Sequence, residues 1–491
     1  MGLLNRYLAM MSACVLTGAA VLTAPAVTAS AVTAKGAAWG KAEEVPGTAA
    51  LAATGNASTD SVSCASTGNC SVIGDYGDAS GYGQVFVDSR VNGTWGQAEE
   101  VPGLAALNAG DAAGFSVSCS SPGNCGAGGY YDITGRGLEL EGFVVSQVNG
   151  VWGDAEPVPG LAALNTADSA QVTSVSCAST GNCSAGGYYT TTNAQGADLI
   201  EPFVVSQVNG TWGQAEEVPG ANSLNEGHQV EINVVSCGSP GNCSAGGYYY
   251  PSSVGLGYQA FVANEVDGTW GKVKSLAGTE AYNFGNPPGI AALSCASAGN
   301  CSAGGNYTPS GGGDELEAFK VTETGGTWGK PMEIPGTAAL NTGNLASLTA
   351  VSCASAGNCS AGGFYVTANG TEEAFVVSKS GGTWGQAKEI PGIAALNVNG
   401  IALVTALSCA SAGNCSAAGS YRGSSGEAMF VVNEAGGVWG QAIEIPGTAA
   451  LSTGNVNQLT TLSCAPGGTC STGGFYDTNA PDQEAFIDSQ T

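Results

Sequence analysis

Cysteines recur in this sequence as pairs separated by five residues, a spacing that serves either local disulfides or thiolate ligands of a metal. Seventeen cysteines are present, and every one except Cys14 belongs to such a pair. Zinc normally takes four ligands, and His228 is the one histidine that the chain offers. We therefore predict eight disulfides, with no bound metal and no cofactor. The predicted pairs are Cys64 with Cys70, Cys119 with Cys125, Cys177 with Cys183, Cys237 with Cys243, Cys295 with Cys301, Cys353 with Cys359, Cys409 with Cys415 and Cys464 with Cys470.

A tyrosine stands six residues after the second cysteine of every pair. A residue kept in all eight repeats is typical of a structural contact, in which the ring packs on the next repeat. The alternative is a repeated binding site in which tyrosines stack on sugar rings or peptide side chains. The candidate binding residues in this row are Tyr131, Tyr189, Tyr249, Tyr307, Tyr365, Tyr421 and Tyr476, and Tyr76 completes it. The position just before the tyrosine varies among Asp75, Tyr130, Tyr188, Tyr248, Asn306, Phe364, Ser420 and Phe475.

Carboxylates recur at two positions, and a pair of them is what a glycosidase needs. If a two-residue turn at Gly325-Gly326 sets the register, Glu317 lies opposite Ile334 and Glu333 lies opposite Ala318. The two glutamates would then point to opposite faces of the sheet, since side chains alternate along a strand. We predict that they form no dyad within a repeat and interpret them as solvated charges. The first position holds Gln84, Glu141, Glu201, Gln259, Glu317, Glu373 and Glu484, and the second holds Glu44, Glu100, Glu217, Glu333, Glu389 and Glu444.

The remaining reactive side chains are few. His228 lies in the loop "NEGHQVE", where a histidine is more often exposed than catalytic. Arg136 lies in the loop "YYDITGRGLELEG" beside Tyr130 and Tyr131, where its guanidinium would suit a carboxylate or an acidic sugar, although a solvated loop charge is the simpler interpretation. No phosphate-binding glycine loop or calcium-binding loop is recognisable. The sequence favours the absence of catalysis.

These residues are positioned by an internal repeat marked by eight tryptophans about 57 residues apart. Each repeat contains four short strand candidates: the run into the first cysteine, the run out of the second, a phenylalanine strand and a tryptophan strand. Asn-Gly, Asp-Gly or Gly-Gly pairs separate the last two, as a two-residue type I′ hairpin requires. The tryptophans are Trp39, Trp95, Trp152, Trp212, Trp270, Trp328, Trp384 and Trp439.

Four short antiparallel strands per repeat predict an all-β fold, an eight-bladed β-propeller with four-stranded antiparallel blades. The chain opens on a tryptophan strand (Trp39) and closes on a phenylalanine strand (Phe486). We therefore expect the N-terminal strand to join the last blade and close the ring, which leaves no long unpaired edge. Residues 32–491 would form this single domain.

The hairpin from Ser206 to Trp212, "SQVNGTW", resembles a shortened Asp-box of sialidase-type propellers, whose pattern is Ser-x-Asp-x-Gly-x-Thr-Trp. The match is one residue short, and the aspartate is replaced by asparagine or lost. The whole chain also resembles secreted bacterial repeat proteins that alternate cysteine-pair and Trp-Gly motifs. The resemblance implies a propeller fold. Sialidase-like catalysis is not implied, because Arg90 lies at the opposite end of its repeat from Arg136 and Arg422 and no arginine triad would form.

The N-terminal sequence indicates an exported protein. Residues 1–31 have the pattern of a signal peptide, with cleavage near Ala29 or Ala31. The alternative is a lipoprotein modified at Cys14. The net charge of −27 excludes nucleic acid and anionic membrane surfaces as expected partners, and no later stretch is long and apolar enough to span a membrane.

Together these features predict a secreted, monomeric, non-catalytic binding module. Its ligand would be an extracellular glycan or protein, recognised on the face that carries the varied loops between the second and third strands. A glycan-processing enzyme and a structural cell-envelope protein are the alternatives.

Overall fold

In the computed structural model, the described residues are 38–135, 137, 139–224, 229–251, 257–281, 289–309, 315–454, 456–479 and 482–490. The predicted signal peptide, Arg136 and His228 lie outside them. Within this part of the chain, none of the helices has the length and apolar character needed to cross a bilayer.

The chain forms eight antiparallel sheets in a ring, so the predicted eight-bladed β-propeller is confirmed. In every blade the order from the axis outwards is first, second, third and fourth strand. The first strands are Ala57–Ser66, Ala112–Ser121, Ala170–Ser179, Val230–Ser239, Gly289–Ser297, Ala346–Ser355, Ala402–Ser411 and Asn457–Cys464. The second strands are Asn69–Gly77, Asn124–Asp132, Asn182–Thr192, Asn242–Tyr249, Asn300–Tyr307, Asn358–Val366, Asn414–Gly423 and Cys470–Asn479. The third strands are Gly83–Val91, Leu140–Val148, Asp198–Val208, Gln259–Val266, Glu317–Thr324, Glu372–Ser380, Gly426–Ala435 and Asp482–Ser489.

The fourth strand of each blade is interrupted and pairs with the third strand in two short segments. In blades 1 to 7 the first segments are Thr94–Trp95, Val151–Trp152, Thr211–Trp212, Thr269–Trp270, Thr327–Trp328, Thr383–Trp384 and Val438–Trp439. Their second segments are Glu99–Glu100, Glu156–Pro157, Glu216–Glu217, Lys274–Ser275, Met332–Glu333, Lys388–Glu389 and Ile443–Glu444.

The N-terminal strand completes blade 8, as the sequence predicts. Glu43–Glu44 forms its fourth strand, with Glu44 opposite Phe486, and Trp39 makes a bridge to Gln490. One-turn helices or a 3-10 turn lead from one blade towards the next. They span Thr48–Leu51, Leu104–Leu107, Leu161–Leu164, Ala221–Ser223 (3-10), Thr337–Leu340, Ile393–Leu396 and Thr448–Leu451.

Side chains at the axis tie each first strand to the next. The serine before the first cysteine accepts a hydrogen bond from the backbone N–H of the next blade's first cysteine, at 2.9–3.0 Å in all eight junctions. The bond from Cys64 N to Ser463 Oγ joins blade 1 to blade 8. The ring is therefore closed by side chains as well as by the N-terminal strand.

All eight predicted disulfides are formed. The second cysteine of each pair lies in the interior, since its sulfur packs against the preceding blade, as that of Cys125 does against Ser71. The disulfides therefore have a structural role in the contact between blades. The buried second cysteines, 3–5% exposed, are Cys70, Cys125, Cys183, Cys243, Cys301, Cys359, Cys415 and Cys470.

The disulfides clamp the hairpin between first and second strands on one face of the ring, which we call the turn face. The hairpins between third and fourth strands share this face, and Asn92 (φ 50°) and Gly93 (φ 90°) have the positive φ angles of a type I′ turn. The opposite face carries the varied loops and is called the loop face. Between the faces, the phenylalanine of each third strand fills the space between blades, and all eight are at most 1% exposed.

Candidate ligand-binding site on the loop face

The constant tyrosines have their rings in the interior. All except Tyr307, which is half-buried, are 3–6% exposed. The hydroxyl of Tyr421 donates to Glu444 Oε2 at 3.0 Å and that of Tyr365 to Glu389 Oε2 at 3.3 Å. Burial and these nearby carboxylates raise the pKa of the tyrosine hydroxyls. The ring faces of the constant tyrosines are thus engaged in packing. Ligand binding by this row remains a prediction, and it would involve the hydroxyl ends of the side chains.

The predicted orientation of the recurrent glutamates is wrong. Trp328 lies opposite Glu323, as a two-residue turn requires, but Glu333 lies opposite Phe319. The break in the fourth strand between Trp328 and Met332 therefore shifts the register by one residue, and a one-residue shift reverses every side chain beyond it. Glu333 and Glu317 consequently share a face of the sheet.

These carboxylate pairs are partly buried beside the tyrosines. Burial, followed by the charge of Glu333, raises the pKa of Glu317, while Asn341 Nδ2 donates to Glu317 Oε1 at 3.0 Å and opposes that rise. Blades 3, 5, 6 and 8 each have two glutamates in this arrangement. A single active site does not repeat in this way, so the pairs suit a structural role. The four pairs are Glu201/Glu217, Glu317/Glu333, Glu373/Glu389 and Glu484/Glu44.

The described arginines do not converge. Arg90 lies in the third strand of blade 1 near the turn face, opposite Trp95. Arg422 lies one residue before the end of the second strand of blade 7, near the loop face, where its Nη2 forms an ion pair with Glu427 Oε1 at 2.8 Å. The expectation that no arginine triad forms agrees with this placement. No group of three or more metal-ligating side chains occurs among the described residues.

On the loop face, side chains close to the axis differ from one blade to another. Every first strand has a one-residue bulge, and in several blades the bulged residue bonds a carbonyl of the next blade, as Thr173 Oγ1 does with Ile232 O at 2.7 Å. Asp60 and Phe115 occupy this position in blades 1 and 2. Asp60 and Phe115 lack the hydroxyl donor of Thr173, so these two residues replace a structural contact with different chemistry.

Two carboxyls meet at the bulge of blade 1. Asp75 is 7% exposed and its Oδ1 accepts the backbone N–H of Gly114 in blade 2 at 2.8 Å, next to Phe115. Ser58 Oγ donates to Asp60 Oδ1 at 3.1 Å. Burial raises the pKa of Asp60, and burial followed by the charge of Asp60 raises the pKa of Asp75. Such a pair retains a proton at higher pH than isolated aspartates do.

Aromatic side chains follow in blades 2, 3 and 4. The rings of Phe115 and Tyr130 lie 5.6 Å apart, and those of Tyr248 and Tyr258 meet edge to face at 5.4 Å. Gln171 Nε2 donates to the hydroxyl of Tyr188. Apart from Tyr248, which is 8% exposed, these aromatic side chains are half-buried. We call the set the axial cluster, and it consists of Asp60, Asp75, Phe115, Tyr130, Tyr188, Tyr248 and Tyr258.

The axial cluster is marked in the sequence at a position next to the constant tyrosines, where the sequence prediction did not place binding. Asp75, Tyr130, Tyr188 and Tyr248 stand at the varied position just before the constant tyrosine. Alternation along the strand turns the two neighbouring positions to opposite faces, so the constant residue packs against the preceding blade, as Tyr131 does in the cluster that contains Val85 and Val101. The varied residue faces the first strand of the next blade, as the bond from Gly114 to Asp75 demonstrates. The varied position, rather than the constant one, marks the departure from the repeat.

No protein-family model matches this chain, and no similar sequence was found among curated proteins. Distant structural neighbours are β-propellers. The BP39L lectin from Burkholderia pseudomallei is 14% identical, with 78% of this chain and 98% of that chain covered and a TM-score of 0.43. The β-propeller domain of the Trilobed protease from Pyrococcus furiosus is 6% identical, with 79% and 98% covered and a TM-score of 0.42. A neuraminidase-like protein of subtype N11 from influenza A of a flat-faced bat is 12% identical, with 71% and 95% covered and a TM-score of 0.33. At these values the similarity carries no argument about ligand or activity.

Proposed function

We propose that this protein is an exported, non-catalytic binding module that holds an extracellular glycan at the axial cluster. The observation that supports the proposal is where the repeat is broken. The core phenylalanines, disulfides and axial serine bonds recur around the ring, whereas aromatic and acidic side chains gather near the axis in blades 1 to 4. A regular scaffold whose repeat changes at one end of its axis is an arrangement expected for a recognition site.

The chemistry of the cluster favours a neutral sugar. Half-buried rings such as Phe115 and Tyr188 offer apolar surface for the C–H face of a pyranose, and the half-buried carboxyl of Asp60 offers oxygens for its hydroxyls. The net charge of −27 disfavours an anionic ligand at this site. Eight disulfides suit an oxidising, extracellular location, which accords with the proposed signal peptide.

A glycan array probed with the purified protein tests the proposal. We expect binding to neutral oligosaccharides, weakened about tenfold by Tyr188→Ala or Tyr130→Ala. Val151→Ala is the control, since Val151 is exposed on the turn face, away from the site, and its truncation should leave affinity unchanged. Binding that survives both alanine substitutions, or that occurs only with a protein in a pull-down, would contradict the proposal.

Arg136 remains a separate prediction, since it lies outside the described residues. If its loop contributes to recognition, Arg136→Ala weakens binding by about 1 kcal/mol without changing the melting temperature. Equal affinity in Arg136→Ala and the parent protein would exclude this loop.

A glycan-processing enzyme is the second candidate, and the acid pair is the observation that favours it. Two carboxyls with different protonation states are what acid-base hydrolysis of a glycoside requires. Incubation with the oligosaccharides that bind, followed by measurement of reducing ends, distinguishes the two functions. Product formation that is lost in Asp60→Asn and Asp75→Asn would establish catalysis and replace the binding-only proposal.

A further inference from the structure

Two lysines are buried side by side between blades 5 and 6. Lys320 and Lys379 are 5% and 6% exposed, and they come from the third strands of neighbouring blades. Lysines are almost never buried unless they are paired. Among the described residues the one ion pair joins Arg422 to Glu427, so neither lysine contacts a carboxylate there.

The two side chains enter the same space between the blades. Lys379 Nζ crosses to blade 5 and donates to Ser302 Oγ and Thr322 Oγ1, each at 3.3 Å, and lies 5.7 Å from the centre of the Trp384 ring. Lys320 is two residues from Thr322 on the same strand, so both side chains point towards blade 6. Burial and the charge of Lys320 lower the pKa of Lys379, and burial lowers that of Lys320.

The other blades indicate that these lysines are exceptional. The seven residues equivalent to Lys320 are aliphatic: Val87, Val144, Val204, Val262, Val376, Val431 and Ile487. The residues equivalent to Lys379 are Arg90, Gln147, Gln207, Glu265, Glu323, Glu434 and Gln490. Only between blades 5 and 6 do these two positions place two cations side by side.

The space between blades at this depth accommodates small groups. Between blades 3 and 4 an open crevice of about 300 Å³ reaches Ser184, Ser206 and the buried Glu265. Their equivalents between blades 5 and 6 are Ser302, Thr322 and Lys379. The lysine pair therefore occupies the place that corresponds to the floor of that crevice, towards the turn face.

We propose that an oxyanion binds between blades 5 and 6, between the ammonium groups of Lys320 and Lys379. Ammonium and hydroxyl groups are donors, so an anion with several acceptor oxygens, such as sulfate, phosphate or a carboxylate, suits the site. Its charge offsets the repulsion of two cations that form no ion pair within the described part of the chain. This site is on the opposite face from the axial cluster and does not depend on the proposed glycan binding.

Thermal unfolding at constant ionic strength, with sodium sulfate or phosphate replacing sodium chloride, tests the site. We expect a saturable rise of the melting temperature at millimolar anion. The double variant Lys320→Val/Lys379→Gln is the matched control, because blade 3 uses valine and glutamine at these positions and folds around them. Sulfate also stabilises proteins generally by exclusion from their surface, so the difference between parent and variant is the measured quantity. Equal responses in the two proteins would overturn the proposal.

The protonation state of the lysines gives a second readout. Selective reductive methylation followed by mass spectrometry of the peptides measures how reactive Lys320 and Lys379 are as a function of pH. A bound oxyanion stabilises the charged amines, so sulfate should protect both at pH 8 by at least about threefold. Unchanged reactivity under saturating sulfate would overturn the proposal, since it would mean that one lysine is simply neutral. A sulfated oligosaccharide distinguishes the source of the anion, since protection by it at equal concentration would indicate a group carried on a larger ligand.

Discussion

The asparagine of the repeated Gly-Asn-Cys motif joins the two hairpins of the turn face. Asn358 Nδ2 donates to Ser355 Oγ at 2.9 Å, and its Oδ1 accepts the N–H of Gly381 in the third-to-fourth turn at 3.1 Å. The same bond from the turn recurs in blades 1 to 7. Blade 8 has Thr469 at this position, and its fourth strand comes from the N-terminus, so it has no such turn. The asparagine is absent where its partner is absent.

Asn358→Ala should lower the free energy of unfolding by about 1 kcal/mol, because it leaves the N–H of Gly381 without its side-chain acceptor. Chemical denaturation measures the loss. Thr469→Ala is the control, since the hydroxyl of Thr469 has no hydrogen-bond partner among the described residues. A similar loss in both variants would contradict the assigned role of the asparagine.

Two buried aspartates occupy apolar positions in blades 1 and 8, the two blades that meet where the ring closes. Asp88 and Asp488 are 4% and 3% exposed, and valine stands at the equivalent place in blade 2, as Val145. Each accepts the N–H of the following serine at 2.6 Å, but its Oδ2 has no partner among the described residues. Burial raises the pKa of both carboxyls to about 7.

A raised carboxyl pKa in the folded state makes the protein less stable as pH rises. The stability that the two carboxyls contribute is complete below about pH 4 and is lost as pH rises through about 7. The double variant Asp88→Val/Asp488→Val should therefore unfold at a higher temperature than the parent at pH 8, with a smaller difference at pH 4. Melting curves between these values provide the measurement. Parallel pH profiles for the two proteins would refute the assignment.

At the scale of the element, the disulfide of each hairpin also serves as a contact between blades. Cβ of a residue at Gly126 in blade 2 would come within 3.0 Å of Cys177 Sγ in blade 3, so the disulfide of blade 3 packs directly on the backbone of blade 2. In most other blades the corresponding residue is a serine whose hydroxyl contacts the sulfur, as Ser71 does with Cys125 Sγ at 3.4 Å. The clamp therefore positions the hairpin relative to its neighbour.

Replacing Cys177 and Cys183 by alanine should cost about 2 kcal/mol in the free energy of unfolding, the value expected for closing so short a loop, plus the lost packing on Gly126. Denaturation under non-reducing conditions measures the loss. Mass spectrometry of the unreduced parent digest should find eight cross-linked peptides, each within one repeat. Free thiols or links between repeats would contradict the clamp.

At the scale of the molecule, ring closure combines strands from the two ends of the described chain. The N–H of Gly40 bonds to Ser489 O at 3.0 Å, and Val45 N bonds to Ala485 O at 3.0 Å. Trp39 and Ala42 pack in the same cluster as Leu459 and Phe486. The last blade is therefore completed by contacts between residues from opposite ends of the sequence.

Deleting residues 38–46 should expose the third strand of blade 8 as an unpaired edge. We expect a lower melting temperature and concentration-dependent aggregation, measured by size-exclusion chromatography with light scattering. Deleting residues 309–314, between the second and third strands of blade 5, leaves the closing strand intact and serves as the control. A truncated protein as soluble and heat-stable as the parent would mean that the N-terminal strand is dispensable.

The sequence alone determined the repeat, the strands, the disulfides and the closure. Each of these depends on local signals: cysteines close in the chain, Asn-Gly turns that need positive φ, and a period of about 57 residues that carries the same four strands. The complementary pieces at Trp39 and Phe486 predicted closure, because a ring leaves no edge.

Only the tertiary structure decided which side chains face each other. A one-residue irregularity between Trp328 and Met332 moved Glu333 to the face of Glu317, and nothing in the turn sequence specified it. Likewise, Asp60, Asp75 and Phe115 are brought together by a bulge and by contact between neighbouring blades, and Lys320 meets Lys379 from the next blade. The physical reason is that alternation along a strand is local, whereas the register and the packing of blades depend on the whole ring.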